Sequence, residues 1–407
     1  MKKIGIIYLF ALVAPMIIAS CGKKMKMPTE VPPGGNLGDT LYLMINPPWD
    51  TNHGYNFIGI SSIYFGHDTY LYVSDTGNNR ILQMDVAGTL HEQFNIPHPI
   101  SISQDELMRL LVVTGEKKIY RIDIGPTGDR IPKVVYEMGN SVYGFSTMHK
   151  DSALIDSTDR FLSITDVPDN DRSYYVAVSS PTMNDGRILW FWGSRENGEY
   201  VDSLFDHKFA YYDTLRDSTG YLVFNSQFGN TIGVANGDTF MNPVVLTGNG
   251  IASTTHPNSI YAYESGSALH LLVCQDSGSF PVHDMRYEVQ IHNYSVYWTF
   301  GVSQYPGQSE MLMPGAFDKP SGVTMDPHGN IYIVDSGSNR HCGAYKFSKT
   351  GELLNTFCEP DSIDPFYNPH GISYDIFGDR RTVYITDTDP SGTSKILRFK
   401  LSTDLEP

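Results

Sequence analysis

The sequence predicts an all-β fold: a single β-propeller of seven four-stranded blades, with six as the alternative count. Three observations carry that expectation. Short strands of alternating polarity recur from about residue 55 to residue 404, with Gly, Asp and Asn turns between them. Tyr, Val, Ile and Phe dominate these strands, as a pleated, half-buried surface prefers, and no helical period stands out beyond the first twenty residues. The units also repeat, and a four-stranded unit cannot bury both faces alone. Stacking such units in a ring buries them and leaves only short, protected edges.

The repeats are clearest in three places. Tyr70-Leu-Tyr-Val-Ser-Asp-Thr-Gly-Asn-Asn-Arg80 and Asn330-Ile-Tyr-Ile-Val-Asp-Ser-Gly-Ser-Asn-Arg340 share a strand, an Asp-x-Gly-x-Asn-Arg turn and a following strand. Thr382-Val-Tyr-Ile-Thr-Asp387 leads through its own turn to Lys395-Ile-Leu-Arg-Phe-Lys400. Pro320-Ser-Gly-Val323 and Pro369-His-Gly-Ile372 open two of these units. Together they resemble NHL repeats, with a Pro-x-Gly-[Ile/Val] opening, a Tyr-[Val/Ile]-x-Asp strand and an Asn-Arg turn. Weaker copies are Leu111–Asp123, which keeps the strands, and Asn225–Asn230, which keeps a turn without its Asp and Arg.

Spacing sets the expected blade number. Asp335 to Asp387 is 52 residues, and Asp75 to Asp335 is 260, five such steps. Strand groups near 55–95, 97–138, 160–206, 208–248, 256–301, 318–358 and 368–404 agree with seven. Six is the alternative because NHL-like propellers are often six-bladed and residues 140–250 divide poorly. The last unit ends near Ser402 without an outer strand, so Thr40-Leu-Tyr-Leu-Met-Ile45 is expected to supply it and seal the ring.

The N-terminus reads as an export signal. Lys2 and Lys3 precede an apolar stretch from Ile4 to Ile18, and Ala19-Ser20 stand before Cys21. The stretch is shorter than the roughly 20 apolar residues that span a bilayer. Residues 18–21 resemble the lipobox of bacterial lipoproteins. The resemblance implies a signal peptide over 1–20, diacylglyceryl transfer to the Cys21 thiol and a palmitate-type anchor. An ordinary secretory signal or an uncleaved helix are the alternatives. Residues 21–39, rich in Pro and Gly, form a tether, and the propeller occupies 40–407. Gly22 is not an acidic retention signal, which favours the outer membrane in a cell that has two.

The formal net charge of −16 becomes −18 once Lys2 and Lys3 leave with the signal. An acidic body without a basic stripe argues against nucleic acid as a partner. Cys342 and Cys358 mirror each other about residue 350 in a strand–turn–strand segment. Facing positions of a hairpin lie close enough for a disulfide, and an exported compartment permits one; two buried thiols are the alternative. Cys274, in an apolar strand, reads as a core thiol.

In the turns, Gly77 and Gly337 are expected to supply positive φ, Asn79 and Asn339 to accept backbone hydrogen bonds, and Arg80 and Arg340 to fold back onto carbonyls or the turn's Asp. The central channel mouth is where chemistry is sought. Residues after an opening Pro should point there, giving His98, Asn258, Ser321 and His370. Asp75, Asp335 and Asp387, ending second strands, lie on the same face. Imidazoles and carboxylates in a ring are suited to Ca, a transition metal or a small polar ligand. No Gly-x-Ser-x-Gly, phosphate loop or dinucleotide fingerprint occurs. His256, His283 and His292 read as polar strand residues, and Leu189-Trp-Phe-Trp192 as blade packing or a glycan-binding surface.

The expected function is an envelope-anchored, monomeric scaffold or binding module for a protein, glycan or small ligand. The alternative, implied by similar propellers that are lyases or lactone hydrolases, is an enzyme with a metal at the channel mouth.

Overall fold

The computed structural model describes residues 41–105, 108–137, 160–166, 173–180, 185–192, 194–196, 199–201, 206–207, 218–219, 222–224, 231–235, 238–240, 256–265, 268–276, 280–292, 295–302, 309–358, 365–375 and 381–402. The signal peptide, Cys21, the tether and the turn 225–230 lie outside them, as do the side chains of Leu189–Trp192.

A short strand, β1 (Tyr42–Met44), comes first. The first blade is an antiparallel meander of β2 (Ile60–Phe65), β3 (Leu71–Asp75), β4 (Arg80–Met84) and β5 (Leu90–Asn95). The second is β6 (Pro99–Gln104), β7 (Arg109–Thr114), β8 (Lys118–Asp123) and β9 (Lys133–Glu137). A wider sheet follows. It starts with β10 (Arg160–Asp166), β11 (Ser173–Ser180) and β12 (Asp185–Trp192). Two short ladders come next, β13 (Ser194–Glu196) with β14 (Glu199–Val201) and β15 (Asp206–His207) with β16 (Ser218–Thr219). Then β17 (Leu222–Phe224), β18 (Thr231–Ala235) and β19 (Asp238–Phe240) add to β12, giving six strands in one sheet.

The third blade is β20 (Pro257–Ser265), β21 (Ala268–Gln275), β22 (Val282–His292) and β23 (Ser295–Val302). The fourth is β24 (Pro320–Met325), β25 (Ile331–Asp335), β26 (Ala344–Phe347) and β27 (Leu353–Thr356). The last comprises β28 (Pro369–Tyr374), β29 (Val383–Thr388) and β30 (Ser394–Leu401), with β1 as its outer strand.

Among the described residues there are thus five four-stranded blades, neither seven nor six. The expected units 160–206 and 208–248 are not two blades. β10–β12 of the one and β17–β19 of the other share one sheet, because Leu189 and Trp190 of β12 pair directly with Val223 and Leu222 of β17. Counting by a constant step failed because the step is not constant. Inner strands start 39 residues apart from Ile60 to Pro99, 49 from Pro320 to Pro369, and 97 from Arg160 to Pro257. The innermost strands pack in a closed circuit, β2 on β6, β6 on β10, β10 on β20, β20 on β24, β24 on β28 and β28 back on β2.

Burial follows the repeat. Every residue of β3 and of β25 is buried, as expected for a strand covered on both faces. Tyr72, Tyr332 and Tyr384 occupy one repeat position and are fully buried. A buried phenol needs a partner. Tyr72 donates to Asp68 at 2.5 Å and Tyr332 to Asp326 at 3.0 Å, each Asp standing in the turn just before that strand.

The ring closes through the N-terminal strand. Tyr42, Leu43 and Met44 pair with Leu401, Lys400 and Phe399. Cys342 and Cys358 form a disulfide with Cα atoms 5.9 Å apart, joining the start of the β26–β27 hairpin to its end. Cys274 is a buried free thiol whose pKa burial pushes up. Among the described residues, no helix is long and apolar enough to cross a membrane.

His283, on β22, is buried, and its Nε2 stands 3.1 Å from Gln275 Nε2. Burial pushes its pKa down to about 4 from 6.5. The unfolded chain therefore binds a proton that the folded one refuses between those values. Stability is full above pH 6.5 and falls as pH drops toward 4, by about 3 kcal/mol across the window. Urea midpoints measured from pH 7 to pH 4 should show this loss in the wild type, and His283→Gln should flatten it.

Candidate functional site at the centre of the ring

The circuit of inner strands encloses a central cavity of about 340 Å³. Its wall is rich in hydroxyls, and their first task is to seal the ring. Ser101 Oγ accepts the N–H of Ile164 at 3.3 Å, and Ser103 Oγ that of Asp166 at 2.7 Å. One seam on, Ser163 accepts from Ile260 at 3.3 Å and Thr165 from Ala262 at 3.1 Å. Ser373 of the last blade accepts from Phe65 of the first at 2.8 Å. At the strand starts the traffic reverses. Ser61 donates to Ile100 O at 2.7 Å, Asn258 Nδ2 to Pro320 O at 3.3 Å, and Ser321 to Pro369 O at 2.7 Å. An inner strand has a free edge, and unmade backbone hydrogen bonds there are costly. Side chains of one strand satisfy the backbone of the next around the circuit. The double variant Ser163→Ala/Thr165→Val orphans two buried N–H groups, so a loss of about 2–4 kcal/mol is expected in urea unfolding.

The residues sought at the mouth divide. Asn258, Ser321 and His370 line the cavity. His98 does not: it is exposed, with φ 44°, and its N–H donates to Asn79 Oδ1 at 2.9 Å. The inner strand of that blade opens at Pro99, not Pro97, so the position equivalent to His370 is Ile100. The pair of Pro residues around His98 put the repeat register two residues early.

The three acids lie beside the mouth with their oxygens already used. Asp75 faces Ile60, Asp335 faces Pro320 and Asp387 faces Pro369 across the inner strand pair. Asp75 accepts from Ile58 N, Asn78 Nδ2 and Arg80 Nε, all at 2.8 Å. Asp335 accepts the N–H groups of Asp318, Lys319 and Gly337 at 2.8, 2.7 and 2.9 Å. Asp387 accepts from Tyr367 N and Asn368 N and pairs with Lys395 at 3.1 Å. All three are fully buried and none lines the cavity. Each ties the loop entering a blade to the turn leaving its second strand. Among the described residues no group of three His, Cys, Asp or Glu is placed to hold a metal ion.

The turn glycines differ from expectation in backbone conformation. Gly77 and Gly337 do not have positive φ; Asn79, at 55°, takes the left-handed position. The glycines serve close approach instead. A Cβ on Gly77 would stand 2.6 Å from Ile58 O, and one on Gly337 2.3 Å from the Asp318 side chain. Arg80 reaches Asp75 and Asn56 O, and Arg340 reaches the carbonyls of Gly337 and Phe366. Asn339 donates its N–H to Asp318.

What remains at the mouth is Lys319 and His370. Lys319 lines the cavity, is half exposed and pairs with Asp276 at 3.6 Å. His370 Nε2 is 2.9 Å from Asn368 Nδ2. Burial, then the Lys319 charge, hold the His370 pKa below its ordinary value, against a smaller opposing pull from Asp387. The other end is aromatic. Tyr64, Tyr261 and Tyr374 line it, and burial with nearby Asp166 and Asp326 pushes Tyr261 up to about 12.

A strand-rich ring with Asp-anchored turns is a β-propeller, and residues 317–342 match the NHL repeat. Solved structures similar to this chain include a catalytically inactive virginiamycin B lyase from Staphylococcus aureus with quinupristin, at 14% identity and TM-score 0.47, covering 89% of this chain and 100% of that one. Another is regucalcin, a calcium-binding protein from Agrobacterium tumefaciens, at 10% and 0.48, covering 85% and 92%. A third is a Bacteroides thetaiotaomicron protein of unknown function, at 12% and 0.47, covering 87% and 72%. No curated protein matches the sequence.

Proposed function

We propose that this propeller is a binding or scaffold module, carried to the bacterial envelope by its signal peptide and held there by lipid on Cys21. The observation that carries the reading is the saturation of Asp75, Asp335 and Asp387 by backbone and cationic donors. The acids on which metal-assisted chemistry at the mouth would depend act as loop anchors. That leaves the faces, the rim and the cavity for recognising a protein, a glycan or a small molecule. The acidic body and the Pro- and Gly-rich tether suit a domain displayed in solution near a membrane surface.

The test is crosslinking and pull-down from native envelopes with the mature domain as bait, together with metal analysis of protein purified without chelator. A saturable partner and no stoichiometric Ca or transition metal are expected. A stoichiometric metal that His370→Ala removes would overturn the reading in favour of an enzyme. The anchor is tested separately: Cys21→Ser should abolish lipid labelling and release the protein from the membrane fraction.

A further inference from the structure

We propose that the central cavity binds a small hydroxylated carboxylate of sugar-acid size, its carboxylate at the Lys319–His370 mouth and its hydroxyls along the serine wall. This deepens the binding reading above by naming a ligand class for one of its surfaces. A count of donors motivates it. A serine hydroxyl has one proton to give as well as lone pairs to accept with. Ser101, Ser163 and Ser373 use their oxygens to accept backbone N–H groups across the seams. Their protons find no acceptor among the described residues, and all three line the cavity. Ser163 and Ser373 are more than nine-tenths buried, at 4% and 5% exposure. Each of these protons can go to an oxygen atom within the cavity, from water or from a ligand hydroxyl that takes its place.

The mouth adds charge of the right sign. Lys319 supplies an ammonium at the strand-start end of the wall. With the Asn368 amide donating to His370 Nε2, the neutral ring carries its proton on Nδ1, a further donor. No Asp or Glu lines the cavity. The Lys319 ammonium pairs at 3.6 Å with Asp276, which lies outside the lining and competes for it. At about 340 Å³ the cavity is at the small end of ligand pockets. Tyr64, Tyr261 and Tyr374 line its far end, where the carbon face of a sugar ring can rest.

Titration calorimetry on the mature domain with D-glucuronate, D-glucose and inorganic phosphate tests this. Glucuronate should bind at one site, and glucose, which lacks the carboxylate, about tenfold more weakly or less well still. Lys319→Gln should bring glucuronate down to the level of glucose and leave glucose unchanged. Asp276→Asn should tighten glucuronate, because it frees the ammonium; a purely structural role for Lys319 would not produce these opposite signs. Thermal melts should show both variants folded. Absent glucuronate binding, equal binding of glucose, or phosphate binding as tightly as glucuronate would each overturn the proposal. Capture of an envelope partner is read independently, so the binding reading survives or fails on its own experiment.

Discussion

Asp335→Ala is expected to cost about 3–5 kcal/mol of stability. Asp335 is fully buried and its charge is met by three backbone N–H groups, those of Asp318, Lys319 and Gly337. Asp75 and Asp387 each have a cation as well, Arg80 and Lys395. Removing Asp335 therefore strands three backbone donors, that of Gly337 buried and those of Asp318 and Lys319 partly so. The loop that carries Lys319 into the mouth also loses its anchor. Asp335→Asn keeps one oxygen, and Oδ1 alone serves Lys319 and Gly337, so a smaller loss of about 1–3 kcal/mol is expected. Urea unfolding followed by tryptophan fluorescence measures both. A variant as stable as wild type would mean that the acid is not a structural tie but a group held ready for a ligand.

This role was half visible in the sequence. The recurrence of Asp at the end of the second strand in three units was plain, and so was its place beside the channel mouth. What spacing does not reveal is whether a carboxylate faces the opening or turns back into the loop beside it. Gly77 and Gly337 carried a clue. A glycine needed for close approach rather than for positive φ means that another chain segment passes over the turn, and that segment is the one the Asp holds. The Cys342–Cys358 pairing could be read because it depends on local hairpin register, and the closing strand because the last unit ends without an outer strand of its own. The blade count depends on a constant step, and β12 recruiting β17 broke it. The serine seams were missed because Ser and Thr alternating with Ile or Leu, as in Ile100-Ser-Ile-Ser103 and Leu162-Ser-Ile-Thr165, look like an ordinary polar strand face. In the ring, however, these hydroxyls stand at the seams between inner strands, and each of them answers a backbone N–H of the next strand.

Tyr42→Ala is expected to cost a further kind of stability, about 3–5 kcal/mol from a cavity at the point of ring closure. β1 pairs through only three residues, and Leu43 and Met44 are exposed, so the strand is held chiefly by its one buried side chain. The Tyr42 ring stacks on Phe357 with centroids 4.1 Å apart. Its hydroxyl lies 3.0 Å from that of Tyr332, which in turn donates to Asp326. Lys346 covers the same ring at 5.7 Å. Tyr42 thus joins the last blade to the fourth, and its loss leaves both a void and a broken hydroxyl chain. Tyr42→Phe isolates the second effect and should cost about 1 kcal/mol. Behind β1, Trp49 exchanges two backbone hydrogen bonds with Ile396, at 3.1 and 3.0 Å, so the chain end stays attached even in the Ala variant. The measurable consequence concerns cooperativity. If the closed circuit of inner strands is one folding unit, Tyr42→Ala lowers a single unfolding transition seen alike by fluorescence and by hydrogen exchange in every blade. If β30, newly a free edge, instead exchanges its amides early while the first and second blades keep wild-type protection, closure is a local contact and the ring is not the unit that folds.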